Sequence, residues 1–352
     1  MATLTSRLTL KELAELYSVR AIADVPFPPP GVPFDEGDED AIASRLRLIS
    51  YEVPSEEWRA IDCHGTPVDA PRRFIDGSVF TRQAIAFKVD GQPRPGVLAC
   101  VGAMALDLHG RQLTRVPGSL SVDTVLSFHS TGMAPDHVRQ LESEVQALGI
   151  RLLFPEIDAS NDYDRLARRA RDRAVEEMEK AEQAVLRRDP TVPAVVDGLL
   201  ERRLVRHEQH SSPVVGVVKS HSRQYLPSAH LGFIYGLRAC QRTPAFEIDA
   251  SHAVLVSWYL RLSPANNLPP SGGIVRVALA KEYLESRFPD RTERSAHISA
   301  LSSWLFTMRH REQSYARAAV SLEPIVRIED ELHAVLPPLA AQAARLQRAL
   351  GV

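Results

Sequence analysis

Two short apolar runs, each closed by an aspartate and a glycine, constrain this chain more than any other feature. One is Arg73-Phe74-Ile75-Asp76-Gly77-Ser78 and the other Ala194-Val195-Val196-Asp197-Gly198. Short runs of β-branched and aromatic residues bounded by turn residues read as buried strands. Between them, residues 161–188 are rich in Arg and Glu, with Leu166, Ala170, Ala174, Ala181 and Val185 on one stripe. That is the period of a long amphipathic helix. Strand, long helix, strand is the signature of an α/β fold. Glycine lets the chain turn sharply, so each aspartate is expected at a strand end, where α/β proteins place their chemistry.

The remaining patterns fit around this unit. Ala84 to Val89 and Gly96 to Leu108 predict a hairpin turning at Asp90-Gly91. Residues 135–148 predict a helix, with Pro135 in its first turn and Gly149 at its end. Residues 214–219, 252–260 and 274–279 read as further strands, with a Pro/Gly loop from Pro264 to Gly273 between the last two. Residues 281–351 read as mainly helical. Near the start, a helix over residues 9–24 precedes a proline-rich stretch, Pro26 to Pro33, and an acidic run, Asp35 to Asp40. Proline fixes φ and removes a donor, so this stretch reads as a spacer or strap, either a surface arm or a docking arm for a partner. The expected organisation is an arm over residues 1–50, packed outside one main domain over 51–352. That domain should hold a mixed central sheet with flanking helices and a helical C-terminal region.

Composition excludes several classes. Of 352 residues, 42 are Lys or Arg and 44 are Asp or Glu, a formal net charge of -2. A polybasic nucleic-acid coat is excluded, and any nucleic acid would need a local basic groove. Cys63, Cys100 and Cys240 have neither paired nor zinc-like spacing, which predicts reduced thiols in a cytoplasmic chain. No apolar run reaches the roughly 18 residues of a membrane span. The opening MATLTSRLTLKELAEL lacks a hydrophobic signal core. Ser271-Gly272-Gly273 lacks the spacing of a P-loop, and no nucleophile elbow is present. His207 and His210, in RHEQH, read as a loop rather than a zinc site.

Aspartates on adjacent strands can come within reach of one hard divalent cation, which prefers oxygen ligands. Two such ions can stabilise the attacking and leaving oxygens of phosphodiester hydrolysis. Glu177 lies on the inward stripe of the long helix, with Glu176 as the next choice. A carboxylate there needs a partner, either a metal or Arg173 one turn back. Lys219 ends an apolar strand; it contacts a scissile phosphate or simply marks where the strand meets water. Arg309, His310, Arg311 and Arg317 surround Tyr315, and Arg202, Arg203 and Arg206 share a loop. Both groups read as phosphate contacts or as solvated surface.

Taken in order, FIDGS at Asp76, RAVEEMEKAE at Glu177, VVDGL at Asp197, VVGVVKSHS at Lys219, VRVAL at residues 275–279 and the segment from Leu301 to Ile328 resemble the NurA nuclease family. The resemblance spans roughly residues 70 to 330 and rests on order and spacing. It implies an RNase H-like fold and a Mn2+- or Mg2+-dependent deoxyribonuclease for DNA end processing in repair or defence. The activity implied is exonucleolytic, with single-strand endonuclease activity beside it. It also implies a homodimer working with a HerA-type hexameric ATPase, which suits a chain without its own P-loop. The alternative is a non-catalytic RNase H-like subunit that clamps DNA and regulates the translocase. A nuclease of the same fold directed at RNA is a further rival. The family's metal-binding acids fall on Asp76, Glu177 and Asp197, and its tyrosine on Tyr315. Its histidine, eight residues later, falls on Glu323, and its proline after the tyrosine on Ala316. These are departures, and Glu323 is expected to be a fourth oxygen ligand. Pro324 pushes the preceding residue out of the α region, so a helix break near Leu322 should turn Glu323 toward Asp76 and Asp197 and leave Tyr315 further out.

Overall fold

The computed structural model describes residues 8–23, 49–156, 162–202, 212–219, 225–250, 253–264, 268–311 and 318–352. The proline-rich stretch, the acidic run, Arg203, Arg206, His207, His210, Tyr315, Ala316 and Arg317 lie outside the described residues.

Fourteen strands join one sheet among the described residues: β1 (Arg20–Ala21), β2 (Ile49–Ser50), β3 (Ile61–Asp62), β4 (Arg73–Val89), β5 (Gln92–His109), β6 (Gln112–Arg115), β7 (Ser121–Phe128), β8 (Arg151–Leu153), β9 (Ala194–Asp197), β10 (Val214–Val218), β11 (Gln241–Arg242), β12 (Phe246–Asp249), β13 (Val254–Arg261) and β14 (Ile274–Ala280). The helices are α1 (Leu10–Leu16), α2 (Pro135–Ala147), α3 (Tyr163–Arg187), α4 (Leu231–Tyr235), α5 (Lys281–Arg287), α6 (Arg291–Thr307), α7 (Glu323–Val335) and α8 (Leu339–Leu350).

The main path across the sheet runs β2-β12-β13-β14-β10-β9-β4-β5-β7-β8. β4, β5 and β7 are antiparallel neighbours. The chain then passes through α2, β8 and α3 and re-enters as β9, parallel to β4 on its other side, with β10 parallel beyond it. Beyond β10 the sheet continues antiparallel through β14, β13 and β12. An antiparallel triplet, a helical crossover and two parallel strands added beside the first is the RNase H-like arrangement. The mixed sheet, flanking helices and helical C-terminal region are those expected.

Each half of the core lies on one face. On one side, Ile75 and Val196 pack with Val185 and Leu186 of α3, and Ala99 and Val101 pack with its Ala174. On the other, Phe74, Val195, Val217 and Val277 pack with Leu301 and Leu305 of α6 and Ile325, Ile328 and Leu332 of α7. The alternation along each strand decides which side chain meets which helix. At the far end of the long hairpin, Ile85, Phe87, Leu98 and Leu126 are covered by α1, α2 and α8.

Three expectations are corrected. Asp76 does not end a strand, because β4 continues to Val89 with β5 paired along its length. The turn falls at Asp90 and Gly91, both left-handed with φ of 49° and 78°, as a tight hairpin of right-twisted strands requires. The N-terminal helix is shorter than residues 9–24: Ser18 has φ 42°, and the chain then pairs with β4 as β1. Nor does this helix lie outside the body, since Leu10, Leu13 and Ala14 are buried beside Leu346 and Leu350 of α8. No helix among the described residues is long and apolar enough to cross a membrane.

Candidate metal centre

The strand register builds the site. β4 and β9 pair Phe74 with Val195 and Ile75 with Val196, so the next step along both strands sets Asp76 beside Asp197. β10 pairs Val217 with Asp197. Phe74, Val195 and Val217 share one face, so Asp76, Asp197 and Lys219, each two residues further on, share it too. α7 lies over this face, held by Ile325, Ile328 and Leu332. Glu329 follows Ile328 and lies one turn beyond Ile325, which aims it down at the strands. One carboxylate oxygen each from Asp76, Asp197 and Glu329 lies within 4.8 Å of the others.

The two Asp-Gly pairs do different work. Asp197 ends β9, and Gly198 turns the chain with φ 98°. Gly77 is absent from the left-handed positions. A Cβ there would stand 2.7 Å from Met178 Cγ and 2.8 Å from Glu182 Oε1, so glycine is needed for the close approach of α3.

Asp76 is 4% exposed. Its Oδ1 accepts a hydrogen bond from the Gly77 N–H at 2.9 Å. Its Oδ2 is buried and has no hydrogen-bond partner among the described residues. Burial first, and the neighbouring Asp197 second, push its carboxyl well above the usual carboxylate range, with Lys219 opposing them. Lys219 Nζ stands 2.9 Å from Asp197 Oδ2 and 3.2 Å from Glu329 Oε1. Burial disfavours that ammonium, but Asp197, Asp76 and Glu329 together outweigh it and hold Lys219 charged above its ordinary range.

These residues fit a hard divalent cation. The donors are all carboxylate oxygens, as Mg2+ or Mn2+ prefers. Three carboxylates against one ammonium leave a formal charge of minus two. Asp76 Oδ2 is a buried acceptor without a hydrogen-bond partner among the described residues, and leaving such a group unsatisfied is costly.

Glu177 does not join this group. It is held by Arg173 at 2.5 Å, Lys180 at 2.8 Å and Arg151 at 2.9 Å. Burial alone would raise its carboxyl, yet hydrogen bonds from Lys180, Arg173 and Arg151 bring it down to about 2. The inward acid of α3 is answered by Arg173 and that residue's neighbours. Glu176 is also drawn to Arg173, at 3.4 Å. Glu323 does not join either. α7 begins at Glu323 itself, with an extended Leu322 as its cap and Pro324 in its first turn, so Pro324 does not push Glu323 out of the helix. Glu323 then pairs with His310 Nδ1 at 2.6 Å and Arg327 at 3.1 Å. Glu329 was missed, although Ile325, Ile328, Glu329, Leu332 and Leu336 form one helical stripe in which it is the lone charge.

Among the basic residues, Lys219 sits inside the cluster. Arg309 lies over the Phe306 ring at 3.8 Å and donates to the Phe306 carbonyl at 2.7 Å. Arg311 is exposed, and after burial its charge is what lowers the Arg309 pKa. The backbone of Arg202 closes a short 3-10 turn from Leu200.

No family model matches the chain, and no curated protein matches it. Among solved structures it is similar to the crystal structure of the NurA nuclease from Sulfolobus solfataricus. The two are 11% identical with a TM-score of 0.42, over 90% of this chain and 93% of that one.

Proposed function

We propose that the chain is a divalent-metal-dependent deoxyribonuclease that hydrolyses phosphodiester bonds during DNA end processing. The observation that carries the reading is the buried, unpartnered Oδ2 of Asp76, a residue clustered with Asp197 of the adjacent strand, Glu329 of α7 and Lys219 just beyond β10 of an RNase H-like sheet. Asp76, Asp197 and Glu329 would hold Mn2+ or Mg2+. Such an ion, when bound, supplies Lewis-acid stabilisation of charge on a phosphoryl oxygen. Asp76 fixes the site's orientation through its bond to the Gly77 N–H. Lys219 sets a positive charge against Asp197 and Glu329 and offers a point charge to a phosphate. Arg202, Arg203, Arg309 and Arg311 are proposed to track the backbone, and Tyr315 to lie beside the site. The choice of DNA over RNA, the homodimer and the HerA-type ATPase partner rest on the motif resemblance. An exonuclease acting at ends suits a chain that would be driven along DNA by a separate motor.

The test is cleavage of linear DNA in Mn2+ by the parent and by Asp76→Asn, which keeps shape and removes one ligand charge. A metal centre of this kind contributes several kcal/mol, so the variant should lose roughly 1000-fold in rate with its fold intact. Full metal-dependent cleavage by the variant would remove Asp76 from the site. DNA binding without cleavage in the parent would establish the clamping role instead.

A further inference from the structure

We propose that Lys219 takes the place of a second metal ion, so that the centre binds one divalent cation per chain. The inference rests on the metal-centre reading above and concerns how many ions that centre accepts.

Three observations support it. The first is position. The Lys219 ammonium bridges one oxygen of Asp197 and one of Glu329, at 2.9 and 3.2 Å. In a two-ion site the metals stand roughly 3.5–4 Å apart and share carboxylates in this way. One oxygen of Asp197 and one of Glu329 are thus already committed to a cation, while Asp76 Oδ2 has no hydrogen-bond partner among the described residues.

The second observation is charge. As ionised ligands Asp76, Asp197 and Glu329 would carry three negative charges against the one positive charge of Lys219, a formal sum of minus two. One divalent ion neutralises it. A second would leave the pocket at plus two before any substrate arrives, next to an ammonium that cannot disperse its charge. Like charges at such range inside a protein repel by several kcal/mol.

The third observation is confinement. The Lys219 side chain is 11% exposed. It projects from the end of β10, whose Val215 and Val217 are packed in the core beneath α7. The ammonium is thus built into the centre rather than swinging in from solvent. The centre would then hold two unlike cations, one metal ion held by the acids and the Lys219 ammonium between Asp197 and Glu329.

The experiment counts ions. Mn2+ is titrated into the full-length chain without DNA, and free Mn2+ is followed by electron paramagnetic resonance. The doubly substituted Asp76→Asn/Asp197→Asn chain serves as the blank for ions bound elsewhere. The parent should bind one Mn2+ per chain above the blank. Lys219→Met keeps the length of the side chain and removes its charge, and it should bind two. Lys219→Arg keeps the charge and should bind one. Two ions in the parent would overturn the proposal while leaving the metal centre standing. One ion in a folded Lys219→Met chain would overturn it equally, since something else would then exclude the second ion. No ion above the blank in the parent would overturn the metal centre itself, and this inference with it. Should Lys219→Met fail to fold, the parent and Lys219→Arg counts decide.

Discussion

Glu177 and Glu329 show how the surroundings of a carboxylate, rather than its place on a helix face, decide what it does. Both sit on the sheet-facing side of a helix. Glu177 is ringed by Arg151, Arg173 and Lys180, so its charge is fully answered within the protein. Glu329 shares its one ammonium with Asp197 and clusters with Asp76, whose buried Oδ2 has no hydrogen-bond partner among the described residues. Glu329→Gln should therefore weaken Mn2+ binding at least about tenfold in the same titration, and Glu177→Gln should leave it unchanged. Glu177→Gln should instead cost stability. Folding lowers the Glu177 carboxyl from its ordinary value of 4.5 to about 2. Its contribution is thus complete above pH 4.5 and disappears as the pH falls through 2. Arg151 and Lys180 are half exposed, and solvent screens their share, so the cost at neutral pH is on the order of 1 kcal/mol. Urea unfolding of the two chains at pH 7 and pH 3 would measure it, with the gap narrowing at the lower pH. A Glu177→Gln chain that loses Mn2+ affinity would return Glu177 to the metal centre.

At the scale of elements, the contact between β4 and α3 turns on a missing side chain. Gly77→Ala would drive its Cβ to within 2.8 Å of the Glu182 carboxylate and closer still to Met178. Overpacking of this kind typically costs about 1–3 kcal/mol, and chemical denaturation would read it. Because Asp76 projects from the neighbouring residue, the same change should also shift that carboxylate and weaken Mn2+ binding. An alanine variant of parental stability would mean that α3 can withdraw from the sheet. This contact also marks where sequence reading succeeded and where it stopped. The Asp90-Gly91 hairpin, α2, α3 and the strands ending near Asp197 and Lys219 were legible because their signals are local: periodicity, a turn pair, a proline in a first turn. The Asp76-Gly77 pair looked like a second turn, since glycine before a packed helix and glycine at a bend are the same letter. β7 and β8 were not recognised, because Ser121-Val122-Asp123-Thr124 owes its strand conformation to β5 beside it. The third acid was out of reach for a related reason. Taking Ala174 as the centre of the buried stripe, Glu177 lies about 60° to one side and Glu182 about 80° to the other. The helix pattern alone could not choose between them. Neither belongs to the acidic cluster with Asp76 and Asp197, whose third member, Glu329, comes from α7, a helix that no local pattern ties to β4 and β9.

On the scale of the whole molecule, the two ends of the described chain pack on each other. Leu10 and Leu13 of α1 share a cluster with Leu346 and Leu350 of α8, and β1 adds Arg20 and Ala21 to the edge of β4. Tyr17 ties the same segment to α2 through a 2.9 Å hydrogen bond with His137. An arm that served only to dock a partner would not bury its leucines in the body that carries it. Deleting residues 1–24 would therefore expose part of the core and confuse lost docking with lost folding. Point substitutions on the two sides of α1 separate the two. Leu13 is 2% exposed, so Leu13→Ala should cost roughly 2–4 kcal/mol through lost burial and the cavity left behind. Leu16 is 54% exposed, so Leu16→Glu should change stability by less than about 0.5 kcal/mol. Urea unfolding checks both values. The Leu16→Glu chain then becomes the clean probe of assembly. If the solvent face of α1 docks a ring-shaped ATPase, co-purification with that partner should fall while the unfolding midpoint stays in place. If co-purification is unchanged, α1 belongs to the packing of the molecule and not to a docking surface.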